Sequence, residues 1–128
     1  MCLSILTDLV SKQAEKLPVS DKSIDVVVSV CVLCSVQDAS TALSEILRVL
    51  KPGGRLLFWE HVCSETRADI AIRQKKYSDV EESRWGCRFD RHTYGTIASA
   101  GFSQVHGSYF ELPGFDLMAS TVLGCAVK

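Results

Sequence analysis

Two apolar runs with a helical segment between them decide the fold: IDVVVSV at Ile24–Val30 and RLLFWE at Arg55–Glu60. Each run is short and nearly continuous in apolar character, which is typical of strands covered on both faces in a parallel sheet. From Ala39 onward, the segment between them repeats apolar residues at helical spacing. A strand, a helix and a strand with short links predict a right-handed crossover and parallel neighbours, with Val26 beside Leu57.

Both ends of the helix carry sequence signals. Asp38 precedes the first apolar residue of the repeat and is a good N-cap. Arg48 and Lys51 fall in the predicted last turn, where cations complement the helix dipole. The sequence KPGG at Lys51–Gly54 predicts the stop, because proline and glycine rarely continue a helix.

The remaining elements are predicted from periodicity, capping residues and breakers. Before the first strand we expect a short helix over Met1–Gln13 and a loop over Ala14–Ser23. After the second strand we expect a polar helix within Ser64–Glu82, a loop at Arg84–Phe89, a helix capped by Asp90 and ended at Gly101, and strands at Phe102–Leu112 and Ser120–Val127. The last two strands follow each other without a full helix between them, which favours an antiparallel pair.

Composition excludes several classes of partner. The 128 residues are 47% hydrophobic and 23% charged, which is typical of a single globular core. A formal net charge of −1 gives no electrostatic attraction to nucleic acid or anionic lipid, so no nucleic-acid partner is expected. The longest apolar stretch, Ile24–Cys34, contains Asp25 and Ser29 and is too short for a bilayer, so no transmembrane span is expected.

Six cysteines raise the question of a disulfide or metal site. Cys31-x-x-Cys34 is one half of a possible zinc site, but no second Cys/His pair follows at ligand spacing, so no metal is predicted. For Cys34, a buried structural role is favoured over a reactive thiol. No signal peptide precedes the cysteines, which favours a reducing compartment.

Several stretches match a known pattern when taken together. AEKLP at Ala14–Pro18, IDVVVS at Ile24–Ser29 and LRVLKPGGRL at Leu47–Leu56 resemble the second half of class I S-adenosylmethionine-dependent methyltransferases with a type 11 domain. VLCSV at 32–36, FWEHV at 58–62, Gly86-Cys87 and the closing GCAVK at 124–128 resemble the methyltransferase-like seven subfamily, whose members methylate small thiols.

The resemblance implies a fold and a division of the chain. The fold class is α/β: a partial Rossmann-like methyltransferase sheet, comprising strands four to seven with the last strand antiparallel, and flanking helices. The whole chain, 1–128, would be the C-terminal part of one such domain. Its parts would be a short helix at 1–13, a loop and βαβ core at 14–60, a substrate-side region at 64–90, and a helix with the final β pair at 91–128.

Some family features have no counterpart in this sequence. The glycine-rich loop that approaches the cofactor is missing, since the first glycine is Gly53. The acidic residue that holds the ribose and the hydrophobic N-terminal membrane segment are also missing. We therefore expect a truncated methyltransferase in the cytoplasm, or at the endoplasmic reticulum or lipid-droplet surface if a longer form carries the family's anchor.

The resemblance further implies S-adenosylmethionine as cofactor and a small methyl acceptor such as a thiol. In open parallel sheets, ligands bind beyond the carboxyl ends of the strands. By resemblance, Ala14 and Glu15 would border the adenine, chiefly through their backbone. Val30 and Cys31, which end the first strand and begin the next loop, would line the cofactor pocket.

His61 and Glu60 at the end of the second strand are the catalytic candidates. His61 would act as a base or orienting group, and the alternative is a histidine that merely caps a strand end. Glu60 is as well suited to holding a neighbouring backbone segment or an arginine as it is to acting in catalysis. A thiol acceptor needs little base strength, because thiols already ionise partly near neutral pH.

A second hypothesis is a non-catalytic remnant or interaction module. In the complete family fold the strand at 24–30 is central, whereas here it would form an edge. Exposed edges of this kind recruit another strand. This hypothesis predicts self-association through the 24–30 edge.

Overall fold

The computed structural model describes residues 13–128, so nearly all of the helix predicted over Met1–Gln13 lies outside the described residues. Strands and helices alternate through the first part of the chain, and two strands close it. The elements are β1 (Ile24–Val30), α1 (Ala39–Val49), β2 (Leu50–His61), α2 (Ala68–Trp85), α3 (Thr93–Ala98), β3 (Gln104–Glu111), a 3-10 turn (Asp116–Met118) and β4 (Ser120–Val127).

The four strands form one sheet in the order β1-β2-β4-β3. β1 and β2 run parallel, which confirms the predicted crossover, and β4 is antiparallel to both β2 and β3. The expected pairing of Val26 with Leu57 is wrong by two residues, because Leu57 lies opposite Val28 and Val26 lies opposite Arg55. A register irregularity between Ile24 and Val26 accompanies this shift.

The helix of the crossover begins as predicted and ends earlier. The Asp38 side chain accepts hydrogen bonds from the backbone N–H groups of Ser40 and Thr41, which confirms the N-cap. The helix ends at Val49, so Lys51 belongs to β2 and not to the last turn. KPGG therefore opens the strand: Gly53 takes the left-handed region at φ 75°, and its N–H reaches the carbonyl of Lys128 at 3.1 Å.

Several boundaries after β2 differ from expectation, including those of β3, which spans Gln104–Glu111 and is shorter than the predicted strand. The predicted loop at Arg84–Phe89 is wrong at its start, because α2 continues through Trp85 and ends at Gly86 in the left-handed conformation. Asp90 does not cap α3, whose N-cap position is His92 and whose last residue is Ala98. The Asp90 carboxylate instead accepts a hydrogen bond from the hydroxyl of Ser78 in α2, at 2.6 Å. Asp90 therefore contacts α2 and not the N-terminus of α3.

The core lies on one face of the sheet. Side chains of α1 and α3 pack there against alternate residues of β2 and β4, and this buried set includes Leu43, Ile46, Leu56, Phe58, Ile97, Val122 and Ala126. The expectation that β1 is covered on both faces is wrong for residues 13–128. Val26, Val28 and Val30 are 48%, 64% and 52% exposed, because their side chains point away from the two helices.

Candidate active site

β1 and β2 end side by side, and the chain turns sharply where β1 stops. Cys31 follows β1 with φ 53°, a left-handed conformation that is uncommon outside glycine. Its N–H still donates to the carbonyl of Trp59 in β2 at 2.8 Å. The next residues therefore leave the sheet directly above the end of β2, where Glu60 and His61 lie.

Glu60 is fully buried and holds the loop that follows β1. One carboxylate oxygen accepts from the Ser29 hydroxyl at 2.6 Å and from the Val32 N–H at 3.2 Å, and the other accepts from the Cys34 N–H at 3.2 Å. Burial raises the pKa of the Glu60 carboxyl, and the hydrogen bond from Ser29 opposes that change. Of the two roles considered for Glu60, this geometry supports holding a neighbouring backbone segment.

His61 lies among three thiols. Its Nε2 atom is 3.9 Å from the sulfur of Cys31. Its Nδ1 atom is 3.9 Å from the sulfur of Cys34 and 3.4 Å from that of Cys87. The ring packs edge-on against Phe89, with centroids 5.6 Å apart. His61 thus joins the loop after β1 to the segment after α2, which goes beyond capping the end of a strand.

The three thiols differ in electrostatic environment. A hydrogen bond from the Cys87 thiol lowers the pKa of Cys34, with a further contribution from His61, while burial opposes both. The same hydrogen bond, together with burial, raises the pKa of Cys87. Burial raises the pKa of Cys31 to about 11. Cys34 therefore ionises more readily than Cys87, and Cys31 stays a neutral thiol.

An open cleft of about 390 Å³ lies beyond the end of β1. Residues 13–15 form one wall, and residues 31–37 contribute the other. The Glu15 carboxylate joins the walls by accepting from the N–H groups of Gln37 at 2.9 Å and Asp38 at 3.2 Å. Backbone hydrogen bonds from its own N–H and from these residues lower the pKa of Glu15.

The cleft brings together three of the four residues predicted to contact the cofactor. Ala14, Glu15 and Cys31 line it, and Cys31 also reaches His61. Val30 does not line the cleft. Strand alternation places its side chain on the exposed sheet face, beside Leu57 and Trp59.

Cys87 lies in this site although its sequence position does not predict it. The available signal was the pair Gly86-Cys87 after a helix, but nothing in the sequence says that the chain returns there to the end of β2. Metal-ligand spacing directed attention to Cys31 with Cys34, whereas Cys34 and Cys87 share Nδ1 of His61. The contact is a product of topology and not of local spacing.

Comparison with known proteins places this geometry in a family. The sequence pattern of a family described as "Methyltransferase domain" matches residues 3–58. Thiol S-methyltransferase TMT1B of Rattus norvegicus is 46% identical over 116 residues, covering 85% of this chain and 46% of its own length. The human thiol S-methyltransferase TMT1A is 34% identical over 116 residues, covering 86% of this chain and 46% of its own length. The chain belongs to the class I S-adenosylmethionine-dependent methyltransferase family.

Solved structures agree on the fold. A SAM-dependent methyltransferase of Thermotoga maritima, described as a possible histamine N-methyltransferase, has a TM-score of 0.63 and 25% identity, covering 90% of this chain and 61% of its own. The N-methyltransferase NodS of Bradyrhizobium japonicum, solved with S-adenosylhomocysteine, has a TM-score of 0.60 and 19% identity, covering 93% of this chain and 53% of its own. The Rossmann-like methyltransferase fold is therefore confirmed.

The extent of the match limits what transfers from these relatives. The chain spans about half the length of the curated relatives it matches, 46% for both thiol S-methyltransferases named above.

Between residues 13 and 128, no helix combines the length and apolar character that a bilayer crossing requires.

Proposed function

We propose that this chain forms the adenine side and the acceptor side of an active site that transfers a methyl group from S-adenosylmethionine to a small thiol. The supporting observation is the position of Cys31. It lines the cleft beyond β1, and its sulfur lies 3.9 Å from Nε2 of His61. The pocket assigned to the cofactor and the residue assigned to the acceptor therefore adjoin each other.

The cleft suits one end of the cofactor. Ala14 and Val36 offer apolar wall to a flat ring, while Glu15 fixes the distance between the walls. The methionine end needs close approach to backbone N–H groups, which glycine-rich turns provide. The first glycine of the sequence is Gly53, so the residues present fit the adenine end and not that other end.

The proposed mechanism needs position more than strong acid–base chemistry. When bound, the cofactor supplies the electrophilic methyl group. His61 would take the thiol proton on Nε2, or orient a thiol that has already ionised, and hold its sulfur for in-line attack. Glu60 acts in this scheme as a positioning residue, since its oxygens are occupied by Ser29, Val32 and Cys34.

A thiol acceptor is supported by the relatives and by the surroundings of His61. Both relatives described above are named thiol S-methyltransferases. The region at 64–90, which we assign to the substrate side, reaches His61 through Cys87 and Phe89. These side chains give a soft, apolar environment that suits a neutral or singly ionised sulfur compound.

Self-association and location are secondary parts of the proposal. Within residues 13–128, β1 is an edge strand with three exposed valines, which supports pairing between copies. The similarity to thiol methyltransferases favours methyl transfer over a purely non-catalytic role. We further propose a reducing compartment such as the cytoplasm, where Cys31, Cys34, Cys63, Cys87 and Cys125 would remain free thiols.

Calorimetric titration of the full chain with S-adenosylmethionine tests the proposal. We expect saturable but weak binding, with a Kd on the order of 1 mM, because the cleft contacts only one end of the ligand. Val36→Asp places a carboxylate on the apolar wall and should weaken binding by about tenfold or more.

The matched control is Val80→Asp, an equivalent change at a half-exposed site on α2. This variant should bind like the unmodified chain. Absence of saturable heat up to about 10 mM would contradict the proposal. Equal loss of binding in the two variants would also contradict it, since the cleft would then not be the site.

A further inference from the structure

We propose that Cys34, His61 and Cys87 form a binding site for a soft or borderline metal cation such as Zn²⁺. Their ligand atoms, two sulfurs and one ring nitrogen, all lie within 4.8 Å of one another. The three residues come from the loop after β1, the end of β2 and the segment after α2. The inference goes beyond methyl transfer and is tested by readouts that do not involve it.

The distances suit a tetrahedral ion. Zinc bonds of about 2.3 Å to sulfur and about 2.0 Å to nitrogen place an S···N pair about 3.5 Å apart at the tetrahedral angle. The observed distances from Nδ1 of His61 are 3.9 Å to Cys34 and 3.4 Å to Cys87. Movements of a few tenths of an ångström would therefore bring each sulfur to the spacing from Nδ1 that a shared zinc ion requires.

Backbone contacts that involve no metal ligand atom hold the three segments together. The N–H of Arg88 donates to the carbonyl of Cys34 at 2.8 Å, which fixes the segment that carries Cys87. The N–H of Cys34 donates to Glu60, the residue before His61. The ligands are thus preorganised, so binding requires little ordering of the chain.

The donor set determines the class of ion. Two cysteines and one histidine select soft or borderline cations such as Zn²⁺ and disfavour Mg²⁺ and Ca²⁺, which prefer oxygen. Two thiolates neutralise a divalent charge. Phe89, Leu117 and Met118 pack around the buried cysteines and exclude water from that side. Three protein ligands leave a fourth position for water or an external thiol.

Cation binding would change the role of His61. An ion on Nδ1 would leave the proton on Nε2, the atom that lies 3.9 Å from the sulfur of Cys31. The ring would then donate a hydrogen bond to an acceptor thiolate and would no longer accept a proton. The metal-bound and metal-free chains therefore use His61 differently.

Cobalt titration of the reduced, chelator-treated full chain tests the site directly. We expect one equivalent of Co²⁺ to produce thiolate-to-cobalt charge-transfer absorption, and Zn²⁺ to displace it. Cys34→Ser, Cys87→Ser and His61→Gln should each weaken binding by about 100-fold or more, because each removes a ligand. Cys125→Ser, in β4 and outside the cluster, is the matched control and should bind normally.

Because a buried cysteine variant can fail to fold, a second measurement uses the unmodified chain. Zn²⁺ should slow alkylation of Cys34 and Cys87, mapped by peptide mass spectrometry, and leave Cys125 unchanged. Absence of one-to-one binding would overturn the proposal. Protection confined to other cysteines, or binding that survives all three ligand variants in folded form, would overturn it equally.

Discussion

The two faces of the sheet have similar sequences and opposite environments. On one face, Leu56 and Phe58 of β2 and Val122 of β4 are almost completely buried beneath α1 and α3. On the other face, Leu57 and Leu123 are 41% and 53% exposed. Among residues 13–128, no helix of the fold packs over this second face to cover it as α1 and α3 cover the first.

The contrast between the two faces shows which features of a strand an apolar pattern can predict. A continuous apolar strand indicates that both faces can be buried, and it correctly predicts a parallel pair. The pattern carries no information on which element supplies the cover. Neighbouring residues of the same strand should therefore differ sharply in burial. They should differ equally in the unfolding free energy that is lost when each side chain is truncated.

The largest expected effect comes from the adjacent leucines of β2. Leu56→Ala should lower the free energy of unfolding by about 3 kcal/mol, because it removes a fully buried side chain and leaves a cavity. Leu57→Ala should cost less than about 1 kcal/mol. Urea denaturation of both variants measures the difference, and equal losses would show that the two faces are equally packed.

A glycine on the covered face gives the next effect. A Cβ at Gly124 would collide with the Phe58 ring and the carbonyl of His106, so Gly124→Ala should cost about 2 kcal/mol through overpacking. Gly95→Ala is the control, because a Cβ there meets nothing within 4 Å and α3 favours alanine. Thermal unfolding should separate the two variants; a tolerated Gly124→Ala would mean that Phe58 is loosely held.

Glu60 offers a smaller, pH-dependent test on the buried side. Since its folded pKa lies above the ordinary value of 4.5, the unfolded chain loses this proton first as pH rises. The contribution of Glu60 to the free energy of unfolding is thus fully present below the ordinary pKa. It is lost as the pH rises through the folded pKa. In Glu60→Gln, unfolding free energy should fall less between pH 4.5 and neutrality.

The control for this test is internal. The lowered pKa of Cys34 gives a contribution of the opposite sign, but the unmodified chain and Glu60→Gln both contain Cys34. Subtracting the two urea-denaturation profiles therefore gives the contribution of Glu60 together with its electrostatic coupling to Cys34. Parallel profiles across the range would contradict the raised pKa.

The smallest expected change in stability is at the exposed face. Val28→Lys should alter the free energy of unfolding by less than about 0.5 kcal/mol, because the side chain is 64% exposed. It should reduce self-association, since a charge on an edge strand opposes pairing. Light scattering against concentration checks this, with Val80→Lys on α2 as control; equal association in both variants would exclude β1 as the contact.

Local signals in the sequence were sufficient for much of the fold. The bounds of β1 and β4 and the Asp38 cap follow from residue type and spacing, and the structure has them as predicted. The predicted helix stop at Lys51–Gly54 failed because β2 begins immediately after α1, with Gly53 bonded to the end of β4. Because that contact joins residues far apart in sequence, no local sequence pattern predicts it.

The candidate site was predictable only in part for the same reason. The rule that ligands lie beyond the carboxyl ends of parallel strands led to Cys31 and His61. Val30 was assigned to the pocket although alternation turns it to the other face. Cys87 reaches the site through the path of α2, and the choice between the roles of Glu60 depended on the three-dimensional contacts of its carboxylate.

The central claim is that the cofactor site lies beyond the carboxyl ends of β1 and β2. Amide chemical-shift mapping of the full chain during titration with S-adenosylmethionine tests it most directly. We expect shifts concentrated at Ala14, Cys31 and Gln37, which line the cleft. Shifts concentrated instead at Gly53 and Lys128, at the opposite end of the sheet, would contradict it.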